Sequence, residues 1–208
     1  EMFRNNLSCM KNIINYFNKN KSRLIHLSST SVYGKQAKIV NEDDNHLLKP
    51  QSPYAEIKLI EENLLKKNKK RFKYITLRLG TISGVSKGIR FHTAINKFCL
   101  NASLNEKISV YKTAYNQFRP YLSVRDAFKM FKFCIDKNLF DNEIYNVLSA
   151  NFTVKQIIEM IRRYKKNVKI KFVNTAIMNQ LSYHVNDKKL KKRGLNLTSK
   201  ISKDIKDT

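Results

Sequence analysis

The chain has 208 residues and a formal net charge of +25, from 41 Lys and Arg against 16 Asp and Glu. Hydrophobic residues make up 42%, and no apolar run approaches the roughly 20 residues that a membrane-spanning helix needs. The composition therefore excludes a helical membrane span, shows no secretory-type opening, and indicates a cytoplasmic globular protein of one or two domains.

The basic residues are mostly lysines that are spread along the chain, with two dense clusters at 66–71 and 188–193. Clustered cations neutralise phosphates, so a nucleic acid or an anionic lipid surface is one interpretation of the charge. Both clusters fall at predicted helix ends, where the helix dipole favours cations. We therefore expect a solvated basic surface without a specific nucleic-acid partner, which would still attract anionic metabolites.

The first part of the chain alternates between helix and strand, as judged from the spacing of its apolar residues. This order is typical of a parallel α/β sheet. The predicted elements are a helix over 5–20, a strand over 23–28, a long loop over 29–53, a helix over 54–68 that Ser52 caps, and a strand over 74–79.

The second part is mixed, and no repeat or low-complexity linker separates it from the first. We expect it to form a smaller lobe that packs on the first part. Its predicted elements are a helix over 91–102, strands over 107–111 and 121–124, a helix over 124–137, a strand over 144–148, a helix from Thr153, a strand over 168–173, and a helix over 187–193 that Gly194 stops.

Two motifs carry the chemistry. Residues 28–34 read Ser-Ser-Thr-Ser-Val-Tyr-Gly at the end of the first predicted strand, and Tyr54 and Lys58 lie four residues apart on one helix face. The phenol of free tyrosine has a pKa of about 10 and is therefore a poor base at neutral pH. An ammonium one helical turn away stabilises its phenolate. The motifs therefore predict an acid/base site at the carboxyl end of a strand.

Five segments stand in a fixed order: Ser-Ser-x-x-Val-Tyr-Gly at 28–34, Tyr-x-x-x-Lys at 54–58, Arg78 with Gly84, Arg-Pro-Tyr-Leu-Ser-Val-Arg-Asp at 119–126, and Ile-Tyr-Asn-Val at 144–147. Together they resemble the extended short-chain dehydrogenase/reductase family, which includes the NAD-dependent nucleotide-sugar epimerases and dehydratases. The resemblance implies an α/β fold, with the C-terminal part of a Rossmann-type sheet over 1–80 and an α+β substrate lobe over 81–208. Within that lobe, 121–148 would return to the sheet.

The resemblance also implies a role for each site residue. Tyr54 would take a proton from a sugar hydroxyl while NAD accepts a hydride, Lys58 would support Tyr54 and bind the nicotinamide ribose, and Ser29 would hydrogen-bond the reacting oxygen. Leu79 would join Tyr54 and Lys58 at the cofactor. The residues implied to contact a nucleotide-sugar substrate are Ser29, Thr81, Arg90, Asn96 and Arg119, with the Arg119 guanidinium on the diphosphate.

Simpler interpretations stay open beside these roles. A surface lysine, a half-buried tyrosine and a capping serine would each be ordinary if they stood alone, and Arg90 and Asn96 could be plain surface residues. We interpret His26 and His184 as structural or rim residues, and no zinc or calcium pattern is present. The three cysteines are few and far apart, and we expect them to be buried and reduced.

Thr30 and Ser31 narrow the expected reaction. The 4,6-dehydratase branch of the family carries Asp-Glu at these two positions, and an elimination lacks its acid and base without them. The sequence therefore favours a nucleotide-sugar 4-epimerase, with a keto-sugar reductase or a dehydratase of the same family as the alternative. A non-catalytic basic binding protein is the alternative from another class, and the question of a homodimer stays open.

The Gly-rich turn that should hold the cofactor pyrophosphate is not in this sequence, since Gly34 is the first glycine. The chain begins at Glu1, and residues 6–12 resemble the helix that stands midway through the family's cofactor domain. We therefore expect an N-terminally truncated fragment, which by itself is inactive and binds NAD weakly or not at all.

Overall fold

The fold is given by a computed structural model that describes residues 1–37, 39–174 and 183–208. Among these residues no helix combines the length and the apolar character needed to cross a bilayer. The helices are Met2–Asn20 (α1), Pro53–Lys67 (α2), Ala94–Ser103 (α3), Val124–Asp136 (α4), Val154–Arg162 (α5), Lys188–Lys192 (α6) and Ile201–Asp207 (α7). The strands are Arg23–Ser29 (β1), Ile39–Val40 (β2), Lys73–Leu79 (β3), Thr81–Ser83 (β4), Ile108–Tyr111 (β5), Phe118–Ser123 (β6), Ile144–Val147 (β7), Ala150–Thr153 (β8), Ile170–Val173 (β9) and His184–Val185 (β10).

The central sheet has the strand order β1-β3-β7, and all its pairs are parallel. The predicted parallel α/β sheet is therefore confirmed. Ser29 lies opposite Leu79, and Leu79 lies opposite Val147, so the last residues of all three strands meet at one edge. In an open parallel sheet this carboxyl edge is where ligands bind.

Strand β3 separates two apolar layers because its side chains alternate between the faces of the sheet. Ile75 and Leu77 pack on one face with Met130 of α4. Tyr74 packs on the opposite face with Met10 of α1 and Leu65 of α2. The helices α1 and α2 consequently share one side of the sheet and α4 covers the other.

The second lobe is built around β6, which pairs in parallel with β4 and antiparallel with β8. A separate parallel pair joins β5 to β9. Helix α5 starts where the sequence predicts, because Thr153 and Gln156 form a reciprocal capping box. The buried residues of this lobe form one cluster that includes Ile95, Ile108, Tyr121, Ile157, Ile158 and Ile201.

Several sequence expectations need correction. Helix α3 begins at Ala94 rather than residue 91, because Thr93 has extended backbone angles and occupies the N-cap position. Cys9 is exposed, whereas Cys99 and Cys134 are buried as expected, and all three thiols are free. Burial raises the pKa of both buried thiols to about 12.

The division of the chain into domains at residue 80 stays a prediction.

Replacing Leu77 by Ala tests the packing of the central sheet. Leu77 is fully buried between β3 and α4, so the variant should lose about 2–5 kcal/mol of unfolding free energy. Urea unfolding followed by circular dichroism measures this loss. Leu104→Ala, at a position 59% exposed, is the control and should change stability by less than about 0.5 kcal/mol. Equal losses in the two variants would contradict this packing.

Candidate active site

The turn after β1 presents serine hydroxyls at the carboxyl edge of the sheet. Ser29 ends the strand, and its Oγ accepts hydrogen bonds from the Ser31 amide at 3.2 Å and the Ser31 hydroxyl at 2.9 Å. The turn closes at Gly34, which has a φ of 65°. A Cβ at this glycine would lie 2.0 Å from the carbonyl oxygen of Lys49, so only glycine fits there. The backbone therefore holds both hydroxyls in place.

Helix α2 carries Tyr54 and Lys58 on its first turns. Ser52 caps the helix as predicted, since its Oγ accepts from the Ala55 amide at 3.2 Å. The Tyr54 side chain is half-exposed, and the Lys58 Nζ lies 5.8 Å from the centre of its ring. The phenol and the ammonium thus stand side by side next to the serine turn.

A cleft of about 790 Å³ opens at this edge, between the central sheet and the second lobe. All the site residues proposed from the sequence line it, whether they come from the serine turn, α2, the end of β3 or the second lobe. These residues are Ser29, Tyr54, Lys58, Leu79, Thr81, Arg90, Asn96 and Arg119. The fold brings them together, while the role of each stays a prediction.

The charged side chains that line the cleft are cationic. Lys58, Arg90 and Arg119 line it, and no Asp or Glu stands among its lining residues in the described part of the chain. Guanidinium and ammonium groups are the usual partners of phosphate oxygens. The lining therefore suits an anionic ligand.

Asn96 shapes the wall of the cleft. Its Oδ1 accepts from the Gly84 amide at 3.2 Å, and its Nδ2 donates to the Arg90 carbonyl at 3.3 Å. These two bonds attach the loop between β4 and α3 to the first turn of α3, at its start and at Arg90. Asn96 thereby sets the position of Arg90 at the cleft.

Thr30 lies in the interior behind the serine turn. It is 2% exposed, its Oγ1 donates to the Leu79 carbonyl at 3.2 Å, and the Tyr183 hydroxyl is 3.4 Å away. Ser31 is only partly buried and points its hydroxyl at Ser29. Neither side chain supplies the carboxyl group that an elimination needs.

A buried ion pair between β3 and α2 lies behind the residues that line the cleft. The sequence analysis did not predict this pair. Arg78 donates to both carboxylate oxygens of Glu62, at 3.0 and 2.7 Å, and to the Tyr33 hydroxyl at 2.9 Å. The Ser28 hydroxyl also donates to Glu62, at 2.5 Å, and the Tyr33 hydroxyl donates to Asn146 at 2.8 Å. Burial raises the pKa of Tyr33 to about 12. The network joins the serine turn to α2, β3 and β7.

A second buried carboxylate contacts Lys58 directly. Glu61 Oε2 accepts from Lys58 Nζ at 2.9 Å and lies 3.0 Å from His26 Nε2. His26 Nδ1 is in turn 3.3 Å from the Thr76 hydroxyl. Burial raises the pKa of the Glu61 carboxyl, but the hydrogen bonds from His26 and Lys58 outweigh burial and hold it below its usual range.

The residues present fit the reacting end of a nicotinamide dinucleotide. The phenol and ammonium on one helix turn suit ribose hydroxyls, and Leu27, 43% exposed, and Ile82, 40% exposed, offer apolar surface at the cleft. The five glycines stand at 34, 80, 84, 88 and 194, so the chain has no Gly-x-Gly-x-x-Gly turn for a pyrophosphate. The fit therefore covers the nicotinamide and ribose and not the diphosphate.

The NAD dependent epimerase/dehydratase family is the family whose model matches this chain, over residues 1–147. A curated relative is an uncharacterized protein of Methanocaldococcus jannaschii, which is 32% identical over 155 residues. That alignment covers 73% of this chain and 46% of the relative. The chain thus spans about half the length of that protein.

Two solved structures show the same fold. A UDP-glucuronic acid 4-epimerase from Bacillus cereus, in complex with UDP-glucuronic acid and NAD, matches 97% of this chain and 65% of its own, with a TM-score of 0.86 at 19% identity. A dTDP-glucose 4,6-dehydratase from Bacillus anthracis, in complex with NAD, matches 99% of this chain and 66% of its own, with a TM-score of 0.81 at 21% identity.

Replacing Glu62 by Gln tests the buried ion pair. The substitution leaves the Arg78 guanidinium buried without its counter-charge, and we expect a loss of about 3–5 kcal/mol of unfolding free energy. Urea unfolding measures the loss. Glu56→Gln, at an exposed position on the same helix, is the matched control and should stay within about 0.5 kcal/mol of the parent. A Glu62→Gln variant as stable as the control would refute the role of the pair.

The lowered pKa of Glu61 predicts a pH dependence of stability. Because the folded-state pKa lies below the unfolded value of about 4.3, the ionised carboxylate stabilises the fold above that pH and loses this contribution as the pH falls through the folded pKa. The stability gap between the parent and Glu61→Gln should therefore be widest above about pH 6 and narrow towards about pH 3. Urea unfolding across this range measures it, and a gap that widens on acidification would contradict the shift.

Proposed function

The chain belongs to the NAD-dependent epimerase/dehydratase family, and from this premise we propose that it carries the reacting part of a nucleotide-sugar 4-epimerase. The single observation that carries the proposal is the convergence of Ser29, Tyr54 and Lys58 on one cleft whose lining is cationic. We assign the cofactor side to residues 1–80, with 121–148 returning to that sheet, and the substrate side to the rest of 81–208.

Tyr54 is the proposed base. Its phenolate takes the proton of the sugar hydroxyl at carbon 4, while the Lys58 ammonium stabilises the phenolate and binds the nicotinamide ribose. NAD held at Tyr54, Lys58 and Leu79 would supply the redox chemistry, as the acceptor and later the donor of the hydride at carbon 4. Ser29 donates a hydrogen bond to the reacting oxygen, and its position is supported by the Ser31 hydroxyl at 2.9 Å.

The cations of the cleft support a nucleotide diphosphate as the anionic part of the substrate. Arg119 on β6 is the proposed diphosphate ligand, and Arg90 stands on the same cleft at the position that Asn96 fixes. Thr81 is the first residue of β4 and is proposed to contact the sugar. The described lining residues include no carboxylate, which favours this ligand because no like charge among them opposes the phosphates.

The lack of carboxyl groups at Thr30 and Ser31 favours epimerisation over dehydration. Epimerisation needs oxidation at carbon 4, rotation of the keto sugar and reduction from its other face. Dehydration needs in addition an acid and a base at the departing hydroxyl. Thr30 is buried and bonded to the Leu79 carbonyl, so it serves neither purpose. A keto-sugar reductase is the second candidate, since it uses the same three residues.

Replacing Tyr54 by Phe in the full protein tests the proposal. We expect turnover of UDP-sugars to fall by about 100-fold or more, since general base catalysis is worth that much, while substrate affinity stays unchanged. Coupled epimerase assays and calorimetry measure the two quantities. Tyr164→Phe, at an exposed position in the second lobe, is the control and should keep full turnover. Unchanged turnover in Tyr54→Phe would remove Tyr54 from the mechanism.

The absorbance of the reduced cofactor during turnover distinguishes an epimerase from a reductase. An epimerase returns every reducing equivalent to its substrate, so absorbance of the reduced cofactor stays constant during turnover. A reductase consumes one reduced cofactor for each product, and a stoichiometric fall in that absorbance would establish it instead.

A further inference from the structure

We propose that Glu61 is a positioning residue for Lys58 and that His26 holds Glu61 from behind, so that a chain of contacts from β3 fixes the ammonium of the site. The inference rests on the function proposed above for Lys58. It adds two buried residues, which none of the five family-like segments contains, to the acid/base site.

The contacts form a continuous chain across two strands and a helix. Thr76 on β3 contacts His26 on β1 at 3.3 Å, His26 contacts Glu61 on α2 at 3.0 Å, and Glu61 contacts Lys58 at 2.9 Å. Both His26 and Lys58 meet the same oxygen, Glu61 Oε2. The carboxylate is thereby held from the sheet side while it holds the lysine on the cleft side.

The pair of Lys58 and Glu61 differs from an ordinary surface ion pair. Their side chains are 17% and 7% exposed, so water competes little for either charge. Exposed pairs at this helical spacing contribute little, whereas removing one partner of a buried pair leaves the other charge uncompensated. Glu62, the neighbouring carboxylate, is already held by Arg78, which leaves Glu61 to balance Lys58.

The geometry also assigns the proton of His26. A carboxylate oxygen only accepts hydrogen bonds, so the ring must donate from Nε2 to Glu61. A neutral ring then accepts at Nδ1 from the Thr76 hydroxyl, 3.3 Å away. This arrangement makes His26 a fixed donor, since both of its nitrogens are occupied inside the protein.

The consequence for the site is a lysine whose ammonium is held in one position. A long lysine side chain otherwise samples many rotamers, and an anion at 2.9 Å restricts the Nζ atom to the side of the helix that faces the cleft. This restriction serves a residue that must present a cation to a phenolate and hydrogen bonds to a ribose.

Chemical labelling of Lys58 tests the proposal without any turnover measurement. The full chain is treated briefly with acetic anhydride, which reacts only with neutral amines, and acetylation at each lysine is quantified by peptide mass spectrometry. Glu61→Gln should raise labelling at Lys58 by about threefold or more, because the carboxylate that holds Nζ at 2.9 Å is gone and the 17% exposed side chain becomes more accessible to the reagent. Glu56→Gln is the matched control and should leave Lys58 labelling unchanged. Unchanged labelling in a folded Glu61→Gln protein would overturn the proposal.

A second measurement uses the parent protein and is independent of how the variant folds. Long-range nitrogen–proton NMR spectra report the tautomer of each of the four histidines, and His26→Asn assigns the His26 signals. We expect a proton on Nε2 of His26. A proton on Nδ1 alone would break the contact with Glu61 and overturn the proposal.

A mutant cycle in the full enzyme separates positioning from a merely structural effect. If Glu61 acts through Lys58, Glu61→Gln lowers turnover in the parent and has no further effect in a Lys58→Met background. An equal loss in both backgrounds would assign Glu61 a structural role and overturn the proposal. The labelling and NMR results stay interpretable even when Tyr54→Phe retains full turnover, so failure of the proposed function is distinguishable from failure of this inference.

Discussion

The guanidinium of Arg78 and the carboxylate of Glu62 lie fully inside the protein, joined by two hydrogen bonds of 3.0 and 2.7 Å. Glu62 is two helical turns from Tyr54, so this pair fixes where α2 sits on the sheet. Arg78 also bonds Tyr33, and Glu62 also bonds Ser28, on either side of the serine turn. Each charge depends on the other in a buried site, so the pair resists any displacement of α2 relative to β3. The placement of the reacting groups follows from this one constraint.

The two neighbouring carboxylates of α2 pair with two different cations. Glu62 neutralises the cation of the scaffold, Arg78, and Glu61 neutralises the cation of the cleft, Lys58. Both lie beneath the lining, which contains no acid of its own among the described residues. The cleft presents the positive charge of Arg90 and Arg119 to a ligand, while the charges buried beneath it are paired. In a chain with a net charge of +25, this local balance matters more than the total.

Local sequence signals predicted much of this arrangement. The spacing of Tyr54 and Lys58 and the cap at Ser52 are properties of a single helix, and the strands β1 and β3 are short apolar runs, so periodicity was sufficient to find them. The meeting of Ser29 with Tyr54 and Lys58 followed from the order of the elements, because parallel strands end at one edge. The substrate-side residues of the cleft came only from the family resemblance. The contacts of His26 with Glu61 join residues that lie 35 apart in the chain, and no periodicity encodes them. The two-residue strands β2 and β10 are likewise too short to leave a pattern.

The most direct measurement of the proposed reaction follows a deuterium at carbon 4 of the sugar through turnover by the full protein. UDP-glucose and UDP-glucuronic acid carrying this label are suitable first substrates, and NMR of the product locates the deuterium. The account predicts a product inverted at carbon 4 that keeps the label on that carbon, because the same hydrogen leaves and returns. A label transferred to carbon 6 of a keto-deoxy sugar would show dehydration and contradict the account.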